Sequence, residues 1–327
     1  MARPVGPSDP SGQRPQVVLG AVTTGLLNTS EPLPLEAARQ ALALLPGVSA
    51  DWHRHPIEQV VSPDVFFGLD CRLAVPPGSG AQPRVIGTAR ARAVLTAGHI
   101  LQGSARVEVL LDANRRRLPW AHYAARTGVV EAINKADPAD LVTGFLRGAV
   151  DSTLLDLGKT GAYVMSLLDR APQIDRRARL KTETGRLLWA VHVQDGVEPD
   201  SLVELRDDGM LRVRIGTPVE LLPQFVEFCE ILALHHWLLS ALRNAFDRST
   251  RSRRRRPEDE LDPALSYLGH VWNPGAHLPH EMRGLWQRLE NEAQLTWEWE
   301  STLTRVRDKV SLLTRKAIEE TLHKEVV

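Results

Sequence analysis

A cysteine and a histidine are the residues of this sequence that could together perform nucleophilic catalysis. Cys71 follows Asp70 in an apolar stretch, and His99 comes at the end of a later predicted strand. A thiol becomes a strong nucleophile when a nearby imidazole takes its proton. Neither residue lies in a nucleophile elbow or in a local cysteine-enzyme signature. We therefore expect Cys71 to be a packed residue, and keep an enzyme that uses Cys71 and His99 as an alternative.

A second stretch matches the end of a phosphate-binding loop. Residues 157–160 read Leu-Gly-Lys-Thr, but the motif also needs a glycine five residues before Gly158, where the chain has Thr153. Without that glycine-rich loop, backbone N–H groups cannot surround a phosphate. We predict a glycine-containing helix start here.

The eleven histidines form no recognisable metal-binding motif. His235 and His236 are neighbours on a predicted helix, so their side chains diverge by about 100°. The other groups lack the ligand spacing of a closed zinc site: His53 with His55, and His270 with His277 and His280. We expect no metal and no cofactor.

The densest cluster of charged residues in the sequence is a run of arginines. Six of the nine residues from Arg248 to Arg256 are arginine. The last four, which could bind phosphate groups, are Arg253, Arg254, Arg255 and Arg256. No aromatic residue is interleaved, and four acidic residues follow by position 262, a pattern typical of a solvated loop. We predict an exposed loop at 248–262, with nucleic-acid binding through Arg251–Arg256 as a second alternative.

The elements that must position these residues are organised around an apolar helix predicted from Pro223 to Phe246. Its apolar residues recur at three- and four-residue steps and cover most of its circumference, which is typical of a core helix. Charged residues such as Glu227, Glu230 and Arg243 argue against a lipid-spanning segment.

The remaining patterns predict an α+β fold. Residues 1–15, rich in proline and glycine, are expected to form a disordered leader. Residues 16–217 contain several strands and a few helices, and residues 218–327 are helical. In the strand predicted from Arg84 to Leu95, Thr88, Arg90 and Arg92 share one face, which we expect to be solvated.

The last predicted helix, from Thr296 to Lys324, carries an apolar seam. Its residues alternate four- and three-residue steps, as in a coiled coil: Trp299, Leu303, Val306, Val310, Leu313 and Ala317. We expect the first part of this seam to pack inside the protein. The end of the helix, with Leu313, Ala317 and Ile318, is the predicted partner-binding surface.

The amino-acid composition indicates which kinds of partner and which cellular location to expect. Forty basic and forty acidic residues give a formal net charge of zero, which argues against nucleic acid or an anionic membrane as the main partner. A near-neutral chain is poorly protected against self-association. Two cysteines and an N-terminus without an apolar targeting segment indicate a cytoplasmic protein.

Several stretches resemble a family of uncharacterised actinobacterial proteins: VVLGAVTTGLL, PIEQVVSPDVFFGLDCRL, VIGTARARAVLTAGHILQGSA, WAVHV and FCEILALHHWLLSAL. The resemblance extends over nearly the whole chain. Members of this family tend to be encoded beside a ParA-like P-loop ATPase and a SAM-dependent methyltransferase, which implies a multi-component system. The resemblance carries over no catalytic residue. We therefore expect a non-catalytic protein–protein interaction component of a cytoplasmic assembly.

Overall fold

The computed structural model describes residues 15–53, 57–77, 79, 83–111, 117–134, 136–148, 151–178, 180–193, 200–205, 210–251, 257–275 and 278–325. Several sequence-based predictions lie outside these ranges. They concern the leader before Pro15, the hairpin turn that the sequence predicts at Asp207–Gly209, the histidines His55 and His277, and the arginines Arg253, Arg254, Arg255 and Arg256.

Ten strands in the described ranges form one mixed sheet. In chain order they are β1 (Val17–Leu26), β2 (Asp51–His53), β3 (Gln59–Val61), β4 (Val65–Arg72), β5 (Arg84–Thr96), β6 (Ile100–Leu110), β7 (Val129–Ile133), β8 (Gly185–Val193), β9 (Asp200–Leu205) and β10 (Leu211–Thr217). Across the sheet the order is β2-β3-β5-β7-β6-β1-β8-β10-β9, and β4 also pairs with β5. The pairs β8–β10 and β6–β7 are parallel, and the others are antiparallel.

The helices of the described ranges are α1 (Leu35–Ala41), α2 (Trp120–Ala124), α3 (Pro138–Leu146), α4 (Leu157–Leu168), α5 (Leu222–Arg251), α6 (Pro257–Leu268), α7 (Arg283–Ala293) and α8 (Leu295–Glu325). The last strand ends at Thr217, and the regular elements after it are all helical. This confirms the predicted α+β fold, a β-rich region followed by a helical region.

Both faces of the central strand β1 are covered. Val18 and Val22 contribute to a core with α5, whereas Leu19 and Ala21 contribute to a second core with α3 and α4. Alternate residues of a strand point to opposite faces, so helices must lie on both sides of the sheet. This explains why β1 is apolar or small at nearly every position.

The long strand β5 has two neighbours along each edge. β4 and β3 follow one another along the first edge, and β7 and β6 along the second. The sequence did not predict β7, which inserts where β5 and β6 diverge. A Cβ added at Gly87 of β5 would lie 2.2 Å from the carbonyl oxygen of Val129, so a glycine is needed for β7 to come this close.

Several elements differ from their predicted bounds. The exposed loop predicted at 248–262 is wrong at both ends, because α5 continues to Arg251 and Leu261 is a buried residue of α6. The sequence predicts a helix from Leu35 to Leu45, and α1 ends four residues earlier, at Ala41.

Helix α6 begins at Pro257 instead of after Asp262. Proline is favoured in the first turn of a helix, so Pro257 and Pro263 carry the same start signal and the sequence does not distinguish them. The described part of the strand predicted at 179–181 is irregular.

Helix α5 is the central helix that the sequence predicts. Large apolar side chains along its length, including Phe225, Phe228 and Trp237, are at most 2% exposed. The described residues contain one helix whose length and composition would suit a membrane span, Val219–Arg251, and 83% of its apolar window is buried inside this fold.

An ion pair fixes α5 to the sheet. Arg92 of β5 donates two hydrogen bonds to the carboxylate of Glu230, with N–O distances of 2.9 and 2.6 Å. The side chains are 14% and 9% exposed. Gln102 of β6 also donates to the backbone carbonyl of Glu230 at 2.9 Å. The prediction that Arg92 faces solvent is therefore wrong, because α5 lies over this part of β5.

We predict that Glu230→Ala lowers the free energy of unfolding by about 3–5 kcal/mol, because it leaves Arg92 buried without its counter-charge. The double variant Arg92→Met/Glu230→Leu should recover most of this loss, since it removes both charges and keeps the volume. Urea denaturation monitored by tryptophan fluorescence measures both effects. Equal destabilisation of the single and double variants would show that the two side chains do not act as a pair.

Candidate functional site

The structure does not bring Cys71 and His99 together. Cys71 is paired with Val85 near the start of β5, whereas His99 follows Thr96 at its other end. The eleven steps from Val85 to Thr96 span roughly 36 Å of strand at about 3.3 Å per residue. A nucleophile and its base must lie within hydrogen-bonding distance, so these two residues cannot act as one catalytic pair.

His99 links the β5–β6 turn to the helical region. Its Nδ1 lies 2.6 Å from the carbonyl oxygen of Ala97, and its Nε2 lies 2.7 Å from that of Tyr267 in α6. The Tyr267 ring packs edge-on against the imidazole with centroids 5.0 Å apart. Burial lowers the pKa of His99. Both nitrogens already face protein acceptors, so the contacts of this histidine are those of a structural residue.

Cys71 lies in an environment that disfavours the thiolate. Burial and the adjacent Asp70 carboxylate raise the pKa of the Cys71 thiol to about 11, although Arg84 acts in the opposite direction. Asp70 itself is bound by Arg84 and Arg117 at 2.6 and 3.0 Å. The other cysteine, Cys229, is fully buried in α5, and burial raises its pKa as well.

We predict slow alkylation of Cys71 by iodoacetamide at neutral pH. A rise in pKa from 9.0 to about 11 lowers the thiolate fraction about 100-fold, and the thiolate is the reacting species. Mass spectrometry of the Cys71 peptide during a time course measures the rate, and the same protein in guanidinium chloride is the control. Alkylation in the native protein as fast as in the denatured chain would contradict this prediction.

The Leu-Gly-Lys-Thr stretch forms the first turn of α4. Asp156 caps the helix by accepting a hydrogen bond from the backbone N–H of Lys159 at 3.0 Å. A Cβ added at Gly161 would lie 2.5 Å from the carbonyl oxygen of Gly103 in β6, so the glycines bring helix and strand backbones into direct contact. Helix capping and close packing of the glycines therefore explain why this stretch contains these residues.

Among the histidines of the described residues, the rings of His99 and His270 lie near each other, with centroids 6.0 Å apart. In the part of the chain that is described, no group of three or more His, Cys, Asp or Glu side chains could hold a metal ion. His235 is buried and packs edge-on against Trp272 and Trp286, with ring centroids 5.0 and 5.8 Å apart. Its neighbour His236 points elsewhere on α5 and is only partly buried.

The first half of α8 packs onto the central helix. Trp299, Leu303 and Val306 are buried, and the Trp299 ring stacks on Trp272 with centroids 4.5 Å apart. Lys309 donates from Nζ to the hydroxyls of Ser249 and Thr250 on α5, both at 2.9 Å. These contacts fix α8 as far as the turn that contains Lys309.

Beyond Val310 the helix continues away from this core. We call residues 311–325 the distal segment of α8. At about 1.5 Å per residue it extends roughly 22 Å. Leu312 and Ile318 are 52% and 55% exposed, and Leu313 is half-buried. Ala317 lies in the same segment, with its side chain outside the described residues. Exposed aliphatic side chains on a projecting helix form a candidate interaction surface.

Comparisons with protein-family models, with curated proteins and with solved structures find no match to this chain. We therefore base the functional proposal on the contacts of the chain itself. Of the sequence-predicted sites, Leu313 and Ile318 lie on the distal segment of α8. Cys71 and His99 lie far apart in the sheet, and each packs against other residues. The anion-binding arginines at 253–256 lie outside the described residues.

We predict that substitution by aspartate lowers the melting temperature strongly at one position of α8 and hardly at all at another. Val306→Asp buries a charge at a position with 0% exposure, so it should lower the melting temperature by at least 10 °C or prevent folding. Ile318→Asp, at 55% exposure, should change it by less than about 2 °C. Differential scanning fluorimetry compares the two. Equal destabilisation would place the distal segment in the core of the monomer.

Proposed function

We propose that this protein is a non-catalytic interaction component of a multi-protein assembly, and that the distal segment of α8 is its docking surface. The observation that carries the proposal is the change in burial along one helix. Val306 is fully buried, whereas Leu312 and Ile318, within the next twelve residues, are more than half exposed. Burying a large aliphatic side chain contributes roughly 1.5–3 kcal/mol, so covering these residues favours association.

The occupant that we propose for this surface is a second copy of the chain. Along the distal segment, basic Arg315 and Lys316 come one turn before acidic Glu319, and Arg315 lies 3.6 Å from Glu319 in its own helix. Two antiparallel copies related by a two-fold axis near residue 317 place Arg315 of each copy near Glu319 of the other. The charge order is therefore complementary to itself, as an isologous interface requires.

The overall charge also supports association of copies. A formal net charge of zero leaves two chains without long-range repulsion. The resemblance to the actinobacterial family adds a ParA-like P-loop ATPase as a further member of the proposed assembly. The cytoplasmic location belongs to the same proposal.

The molar mass of the full chain in solution tests this proposal. Light scattering coupled to gel filtration should show a mass that rises from 36.3 kDa towards twice that value as the concentration increases from about 1 to 100 µM. Ile318→Asp should remain monomeric because it places a charge in the apolar contact. Thr304→Asp, which adds the same charge at an exposed position in the packed half of α8, should dimerise like the wild type.

Two results would contradict self-association through this segment. One is a wild-type chain that stays monomeric over the whole concentration range. The other is an Ile318→Asp chain that dimerises as well as the Thr304→Asp control. If the wild type is monomeric but captures an ATPase during purification from the native host, the surface serves a different protein and the second copy is the wrong occupant.

A further inference from the structure

A cavity of about 410 Å³ lies between α5, α7, α8 and the start of β10. Its apolar wall is formed by five buried leucines, Leu211, Leu232, Leu239, Leu289 and Leu295. Small-molecule sites in proteins are concave, mostly apolar and roughly 300–1,000 Å³ in volume. Because a cavity of about 150 Å³ holds one benzene molecule, this one has room for two or three groups of that size.

An ion pair and a glutamate account for the charges around the cavity. The Nη2 atom of Arg243 lies 2.7 Å from Oε2 of Glu298, so these two charges neutralise each other. Glu292 also lines the cavity and is exposed to solvent, where water screens its charge. The interior therefore offers a ligand no uncompensated charge.

The uncharged polar side chains of the lining are His236 and Ser240. The Ser240 hydroxyl already donates a hydrogen bond to the backbone carbonyl of His236 at 2.9 Å, so the imidazole of His236 is the group that we assign to a ligand. No hydrogen bond joins its ring to another residue of the described part of the chain, and it lines the cavity between Leu232 and Leu239 on α5. Burial and the nearby Arg243 lower the pKa of His236, while Glu298 acts in the opposite direction. The lowered pKa favours the neutral ring, in which one nitrogen donates a hydrogen bond and the other accepts one.

We infer that this cavity binds a small, uncharged, mostly apolar molecule whose single hydroxyl or amide group hydrogen-bonds to the ring of His236. The leucine wall supplies apolar contact. A neutral imidazole can donate a hydrogen bond to, or accept one from, either a hydroxyl or an amide. A charged ligand would lose its hydration against buried leucines without gaining a counter-charge, since Arg243 and Glu298 already neutralise each other.

This inference does not rest on self-association. Glu298 in the cavity wall and Ile318 on the distal segment are twenty residues apart in α8, or roughly 30 Å at about 1.5 Å per residue. Loss of dimer formation and loss of ligand binding are therefore separate outcomes of separate experiments.

Three matched probes test the inference on the full chain: 2-naphthol, naphthalene and 2-naphthoate. They share one apolar ring system and differ in carrying a hydroxyl, no polar group or a negative charge. We expect saturable one-to-one binding of 2-naphthol, about tenfold tighter than naphthalene because of one additional hydrogen bond. We expect 2-naphthoate to bind more weakly than 2-naphthol. Isothermal titration calorimetry and the fluorescence of the naphthyl ring measure these affinities.

Two variants and a control locate the binding. His236→Phe should reduce the affinity for 2-naphthol about tenfold and leave that for naphthalene unchanged. Ala293→Trp, at an exposed position of the cavity lining, should block both probes by filling the entrance. His280→Phe, at an exposed position outside the lining, should bind like the wild type.

Four results would overturn the inference. They are no saturable binding of 2-naphthol up to about 1 mM, tighter binding of 2-naphthoate than of 2-naphthol, full 2-naphthol affinity in a folded His236→Phe chain, and undiminished binding in Ala293→Trp. Thermal melting checks that each variant is folded. If His236→Phe does not fold, Ala293→Trp and the comparison of the three probes decide the question.

Discussion

The ion pair between Arg92 and Glu230 determines where the helical region lies on the sheet. Apolar side chains alone allow a helix to slide or rotate to neighbouring positions, since one leucine can substitute for another in a contact. A buried arginine must keep its carboxylate, because a buried charge without a partner costs several kcal/mol. Gln102 adds a second bond to the same residue of α5. Helices α6 and α8 pack on α5, so the ion pair also contributes to their position relative to the sheet.

The parts of the fold that the sequence predicts well are those with a strong local period. The apolar pattern of α5 and the seam of α8 each specify an element without reference to the rest of the chain. Strand β7 could not be predicted in this way, because it depends on the divergence of β5 and β6 at Gly87. The burial of Arg92 was missed for a related reason. An alternating strand pattern identifies the polar face and cannot show that a helix covers it.

The candidate sites show the same limit of local patterns. The seam of α8 predicts which residues face a partner helix, but Val306 and Leu313 are equivalent members of it. The expected split of the seam into a packed part and a free end therefore could not be located from the repeat alone, and in the structure the core ends near Val310. His236 was missed as a site because the apolar stripe of α5 includes His235, which is buried among tryptophans. The next residue lies about 100° around the helix and faces a space formed by α7 and α8, which are distant in sequence.

The position of β1 at the centre of the sheet has a consequence for synthesis of the chain. Val18 of β1 pairs with Val191 of β8, about 170 residues later in the sequence. At about 5–20 residues per second, a ribosome needs roughly 9 to 35 s to make this stretch. During that time one edge of an almost entirely apolar strand has no native partner. Strand β1 therefore gains its second neighbour late in synthesis, and until then its free edge is open to non-native pairing.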